Sequence, residues 1–208
     1  AAPLEAEVRA KTGVLKAYLA GWLVGGRRMP PVPVLTVDVR NATSVTPLYR
    51  LDVAGELVEG GVKRVLKGVA AYDSRGMPMA PVEEYVYPGL PAYVEPYYEE
   101  YYLLRVEGYA GATQNITELW LRPGQTAVVY TEEVVNFGNG TRLLFAGWSD
   151  GSREARRVVG PGVYAARYRV QYLLTYSAPN YTVAVWADAG SKPPAPRPPD
   201  KLYDDGST

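Results

Sequence analysis

The chain contains no cysteine and no histidine. The first absence excludes disulfides, thiol nucleophiles and thiolate metal sites. The second removes the usual general base and the commonest zinc ligand, and with them His-dependent triads. No apolar run approaches the length of a membrane span. The formal net charge is +0 over 208 residues, so there is no basic footprint for nucleic acid. Amides are scarce too: 3 Gln and 5 Asn, while Arg outnumbers Lys by 16 to 6. Low Cys, Asn and Gln together fit a heat-adapted source, in which amide side chains degrade.

What is present points to strands. There are 18 Tyr against 2 Phe, with 21 Gly and 18 Pro. Tyr and Val favour strands, and Gly and Pro supply the turns of a many-stranded protein. Tyr packs a ring while keeping its hydroxyl wet, which suits surfaces and interfaces. The expected fold class is all-β: an antiparallel β-sandwich, one large or two stacked modules, with an exchangeable N-terminal strand and a Pro-rich C-terminal arm. The expected organisation is an N-terminal segment over 1–28, a sandwich domain over 29–189 with 125–189 as a candidate sub-module, and a Pro-rich tail over 190–208.

Strands are expected over 34–40, 48–58 and 62–72, the last two joined by the hairpin signal Glu59-Gly60-Gly61. Residues 77–98 hold Pro78, Pro81, Pro88, Pro91 and Pro96, so an edge strand or ordered loop is expected there. Further strands are expected over 97–109, 118–122 and 126–135, the last two flanking the turn Pro123-Gly124, and then over 141–146, 153–159, 163–176 and 181–187.

Four of the five asparagines, Asn41, Asn115, Asn139 and Asn180, open an N-x-S/T triplet. In a chain otherwise poor in Asn, this skew marks glycosylation acceptors on solvent-facing turns and strand ends. The chain begins Ala1-Ala2-Pro3 without Met, and a removed signal peptide is the expected reason. Together these features imply a secreted, cell-surface location.

Residues 13–24 alternate as a strand that is apolar on both faces, the pattern of a strand buried on both sides. Val14, Leu15, Ala17, Leu19, Gly21 and Leu23 form the candidate donor set, and Pro30, Pro31 and Pro33 separate it from the main domain. Such a strand either pairs within its own domain or completes a neighbour's sheet. About five apolar side chains at roughly 2 kcal/mol each supply roughly 10 kcal/mol gross.

One stretch carries a resemblance. Residues 137–151 include Phe145-Ala-Gly147-Trp148-Ser149-Asp150-Gly151, followed by a basic strand, Pro161-Gly162, and then Tyr168 and Tyr172. Gly147 lets a strand bend beside a large ring, Trp148 fills a core, Asp150-Gly151 turns, and Tyr168 and Tyr172 share a face. The pattern resembles the F-x-G-W-S-x-G surface β repeats of prokaryotes, including the internalin-type B-repeat, over about 40 residues. Those are adhesion or spacing modules, and the resemblance implies no catalysis.

A Cys-free, glycosylated β chain with a detachable N-terminal strand also resembles the subunits of archaeal bundling pili and threads. That resemblance implies a filament subunit joined head-to-tail to copies of itself by strand donation, with a role in adhesion or biofilm.

Enzyme chemistry is not expected. Glu83-Glu84, Glu99-Glu100 and Glu132-Glu133 are adjacent pairs, and neighbours on a strand face opposite ways. Asp150-Gly151-Ser152 and Asp204-Asp205-Gly206 are too short for a calcium loop and read as turns. No cofactor or metal is implied, and the partners are other copies and glycans. The alternative is an adhesin or carbohydrate-binding β module, whose one candidate platform is the aromatic stretch 93–109.

Overall fold

A computed structural model describes residues 1–11, 13–37, 44–178 and 181–196. Among them are sixteen strands and no helix: β1 (Glu5–Ala10), β2 (Gly13–Val24), β3 (Arg27–Met29), β4 (Val45–Leu51), β5 (Glu56–Glu59), β6 (Val62–Tyr72), β7 (Pro78–Met79), β8 (Val86–Pro88), β9 (Tyr93–Ala110), β10 (Thr113–Leu121), β11 (Ala127–Tyr130), β12 (Val134–Asn136), β13 (Thr141–Trp148), β14 (Arg156–Val159), β15 (Gly162–Ala178) and β16 (Tyr181–Asp188). The fold is all-β and sandwich-like, as expected. Most ladders are antiparallel, but β9 pairs in parallel with β1 and with β15, so the large sheet is mixed. Both parallel partners reach β9 through long connections, as parallel pairing requires. No helix of the described residues is long and apolar enough to cross a membrane.

The chain divides into two compact units, Ala1–Tyr101 and Tyr102–Thr208. In the first, β2 is an internal strand. Tyr18 is opposite both Glu5 of β1 and Arg50 of β4, and Trp22 is opposite both Met29 of β3 and Pro47 of β4. The core gathers Val8, Ala17, Leu19, Trp22, Tyr49, Leu51, Tyr87 and Val94. Gly60 and Gly61, both at positive φ, close the expected β5–β6 hairpin. The strand expected over 48–58 is two strands, because residues 52–55 break between β4 and β5. The strand expected over 34–40 does not form over 34–37, and 38–40 lie outside the described residues. The Pro-rich approach crosses over Trp22 instead: Trp22 Nε1 donates to Val32 O at 2.7 Å, and the Ala2 amide donates to Pro33 O at 3.1 Å.

In the second unit, β9 and β10 form a hairpin, β15 links β13 to β16, and β11 pairs with β14 as a separate two-stranded sheet. Phe137, Phe145, Trp148 and Tyr168 of the surface-repeat resemblance form, with Tyr109, a ladder of edge-to-face rings. Phe137 meets Tyr109 at 6.4 Å, Tyr109 meets Tyr168 at 5.2 Å, Tyr168 meets Phe145 at 5.9 Å, and Phe145 meets Trp148 at 5.7 Å. Buried Thr131 ties the ladder to the backbone. Its Oγ1 accepts from the Tyr109 amide at 2.9 Å and lies 2.6 Å from the Tyr168 hydroxyl, which donates to Glu132 O at 2.9 Å.

The same device occurs in both units. Ala20-Gly21-Trp22 and Ala146-Gly147-Trp148 each sit where the register shifts, between Leu19 and Gly21 against β4 and between Phe145 and Gly147 against β15. The extra residue is a β-bulge, which bends its strand and re-aims the next side chain. Gly21 has φ +146 and Gly147 φ +138, and a Cβ at either would meet a backbone oxygen, Met29 O at 2.5 Å or Ser152 O at 2.9 Å. The following Trp is buried, and its indole N–H donates to the main chain of the next connection, Val32 O at 2.7 Å or Glu154 O at 2.8 Å. Burying an indole without such an acceptor would leave its N–H unsatisfied.

Gly21→Ala and Gly147→Ala should each cost about 1–3 kcal/mol or more in chemical denaturation. Gly60→Ala, also at positive φ but with nothing within 4 Å of its Cβ, should cost less, because only the two bulge glycines face a fixed carbonyl.

Candidate assembly surface

The donor-set residues do not share one environment. Val14 is exposed, Leu15 and Leu23 are half-buried, and Ala17, Leu19 and Gly21 are buried. Strict alternation fails at the bulge: Leu15, Ala17 and Leu19 face the core, and then Trp22 does. Expected burial on both faces is also not found. Val14 is 58% exposed and Tyr18 39% among the described residues. β2 pairs within its own chain. Its outer face is polar at Lys16, whose ammonium lies 2.7 Å from Glu5 on β1.

Asn115 lies exposed in β10, with its Nδ2 donating to Thr117 Oγ1 at 3.2 Å. Asn139 lies exposed in the β12–β13 turn, where its Oδ1 accepts the Thr141 amide at 3.1 Å. In both, the hydroxyl residue of the triplet sits beside its asparagine. Asn41 and Asn180 lie outside the described residues. The Pro-rich arm has no assigned secondary structure over 191–196, with the Tyr176 hydroxyl donating to Pro193 O at 3.5 Å, and 197–208 lie outside the described residues.

Sequence reasoning missed the outer edge of β10. This strand pairs with β9 alone among the described residues, and its side chains from Thr113 to Leu119 are all exposed. Beside it a groove of ≈ 100 Å³ runs to β11, floored by Leu104, Val106 and Gly108 and flanked by Thr117, Leu119 and Val128. The sequence signal was a nine-residue segment with neither Pro, Lys nor Arg, a plain run without alternation between apolar and polar.

Several carboxylates of β9 lie in ion pairs. Glu99 pairs with Lys67 and Glu100 with Arg64, both at 2.8 Å, and the Tyr101 hydroxyl donates to Glu99 at 2.8 Å. Glu83 pairs with Arg28. Asp150 closes its turn by accepting the Ser152 amide and binding Arg157, whose hydrogen bond holds the Asp150 carboxyl below its ordinary range. The Arg157 guanidinium lies over the rings of Trp148 and Tyr164. Tyrosine also proves to be a core residue. Tyr49 and Tyr87 are 2% and 1% exposed, their hydroxyls donating to Pro3 O and Val69 O, and burial pushes both phenols up.

Intact-mass measurement of natural material should show sugar, and Asn115→Gln and Asn139→Gln should each remove one discrete increment. Unchanged mass in both variants would show that these triplets are bare. Matched against family models, curated proteins and solved structures, the chain finds no counterpart.

Proposed function

We propose that this chain is a structural subunit of an extracellular filament or cell-surface layer, joined to copies of itself by exchange of its N-terminal hairpin. The observation that carries the reading is the position of β2. A twelve-residue strand from the N-terminus occupies the middle of a sheet and supplies Ala17, Leu19 and Trp22 to the core. Its covalent tie to the acceptor strand β4 is the connection 30–44. Its ladder with β4 and its core contacts around Tyr49 and Leu51 are available to the same hairpin from a neighbour, which is the condition for a domain swap. Extended, residues 30–44 span up to about 50 Å, enough to reach an adjacent subunit.

A subunit that gives its hairpin to the next and receives one from the previous makes an open filament wherever the successive rotations do not close into a ring. Burial of Leu19 and Trp22 at roughly 2 kcal/mol each, with the flanking half-buried side chains, makes such a joint tight and slow to open. The sequon-skewed asparagines support an extracellular setting, and the resemblance to archaeal pilus and thread subunits points the same way, toward adhesion or biofilm.

A second reading, a surface adhesin or carbohydrate-binding module, has one observation in its favour. Tyr97 is 56% exposed, and its ring lies so close over Gly68 that a Cβ there would sit 2.3 Å from the Tyr97 hydroxyl. A ring fixed on one side and open on the other is a platform for a sugar face.

Electron microscopy of the purified chain should show filaments. Chain lacking residues 1–29 should form none, and should regain a folded, monomeric state when the 1–29 peptide is added. Intact chain that remains monomeric under all conditions would contradict the proposal and leave the binding-module reading in place.

A further inference from the structure

The edge of β10 has a chemistry of its own, in the second unit, and it stands whether β2 sits in its own chain or in a neighbour. Long free strand edges are association sites unless guarded by charge, proline, shortness or cover. Most of the other edges among the described residues are guarded. β3 carries Arg27 and Arg28, β14 carries Arg156 and Arg157, β5 is bracketed by Glu56 and Glu59, β7 and β8 contain Pro78 and Pro88, and β11 and β12 are short. β16 also lacks proline and basic residues, but it ends on Asp188 and its Tyr181, Val183 and Val185 are half-buried, whereas β10 is exposed at every position from Thr113 to Leu119. Of the strands paired on one side only among the described residues, β10 is the longest, has neither Pro, Lys nor Arg, and is exposed over seven successive positions. Its one charged residue, Glu118, is already held by Arg105 at 3.1 Å.

We propose that β10 is a two-fold interface: it pairs edge-to-edge, antiparallel, with β10 of a second copy. The occupant follows from charge and symmetry. Copies of β3, β14 or β5 would bring like charges together, whereas β10 meets its copy without that repulsion. A two-fold axis perpendicular to a sheet keeps each side chain on its own face, so it must pass through a residue, and overlap of the full strand places it at Thr117.

The hydrogen-bond phase agrees. Ala110 and Thr113 flank the two-residue turn Gly111-Ala112, which makes them a hydrogen-bonded pair. Gln114, Ile116, Glu118 and Trp120 therefore turn their N–H and C=O groups outward. With the axis at Thr117, Ile116 is opposite Glu118 of the copy and Gln114 is opposite Trp120, each a hydrogen-bonded pair. Thr117 faces its own copy in the non-hydrogen-bonded position, where Cα atoms approach to about 4.5 Å. Asn115 and Leu119 project from the groove face, so a sugar on Asn115 stands off that face and leaves the edge itself uncovered.

The chain has no cysteine, so the geometry can be read directly. Full-length protein made without glycosylation should show a concentration-dependent dimer in sedimentation. Thr117→Cys should oxidise to a disulfide-linked dimer, since the expected Cα separation lies within disulfide range. Val14→Cys, also exposed but on β2, should lag well behind. Ile116→Lys should weaken the dimer at least about tenfold with an unchanged melting transition. The proposal is overturned if the unmodified chain stays monomeric throughout, if Thr117→Cys cross-links no faster than Val14→Cys, or if folded Ile116→Lys dimerises as before.

Discussion

A tryptophan seated beside a glycine bulge organises each unit. The bulge does two things at once. It bends the strand so that neighbouring main chain can press against it, Met29 O in one unit and Ser152 O in the other. It also changes which residue faces inward, so that the indole enters the core with its N–H aimed at a carbonyl. In the first unit that carbonyl belongs to the segment crossing above the core, and the crossing is held there by the indole. In the second it belongs to the loop that leads into Arg157, whose guanidinium then covers the same ring. Removing the glycine or the ring would disturb strand, loop and core together.

Much of this was legible from residue order, and the failures have identifiable causes. Gly60-Gly61, Pro123-Gly124 and Asp150-Gly151 marked their turns, and the all-β class followed from Tyr, Val, Gly and Pro usage. Trp148 was readable as a core residue because a recognisable motif surrounds it. Trp22, in an equivalent setting, was not singled out, because strict alternation along residues 13–24 puts it on the face opposite Leu15, Ala17 and Leu19, and a bulge at Gly21 has no signature beyond the glycine. Asp52–Gly55 breaks a strand that hydropathy alone runs through. Tyr49 and Tyr87 were hidden for another reason. A buried phenol needs an acceptor at the right distance, and those acceptors, Pro3 O and Val69 O, are brought there by other strands. The division between units falls within β9, where no Gly-rich or Pro-rich stretch marks it.

The candidate sites were legible unevenly. Sequence located Asn115 and Asn139, and the structure places both in the open with the triplet threonine beside them. The donor strand was recognisable as a strand, but its pairing partner depends on a choice between equal sets of contacts, one in the same chain and one in a neighbour. No local pattern encodes that choice. The β10 edge escaped notice because its distinguishing property is what it lacks, and an edge exists only once the sheet order is known. The two proposed surfaces differ in kind: a deep joint, in which a hairpin would be embedded in a neighbour's core, and a shallow one, in which two backbones would share an edge. The first suits a permanent filament axis and the second a lateral, concentration-dependent contact.

The central claim concerns where β2 resides in assembled material. Tyr18 and Arg50 are directly opposite across β2 and β4, and the chain offers no competing thiol. A Tyr18→Cys, Arg50→Cys double variant, assembled and then oxidised, should run as a ladder of covalent multimers on a denaturing gel, because each disulfide joins two subunits. Oxidation that yields only internally bridged monomers from assembled material would show that β2 stays in its own chain, and would contradict the account.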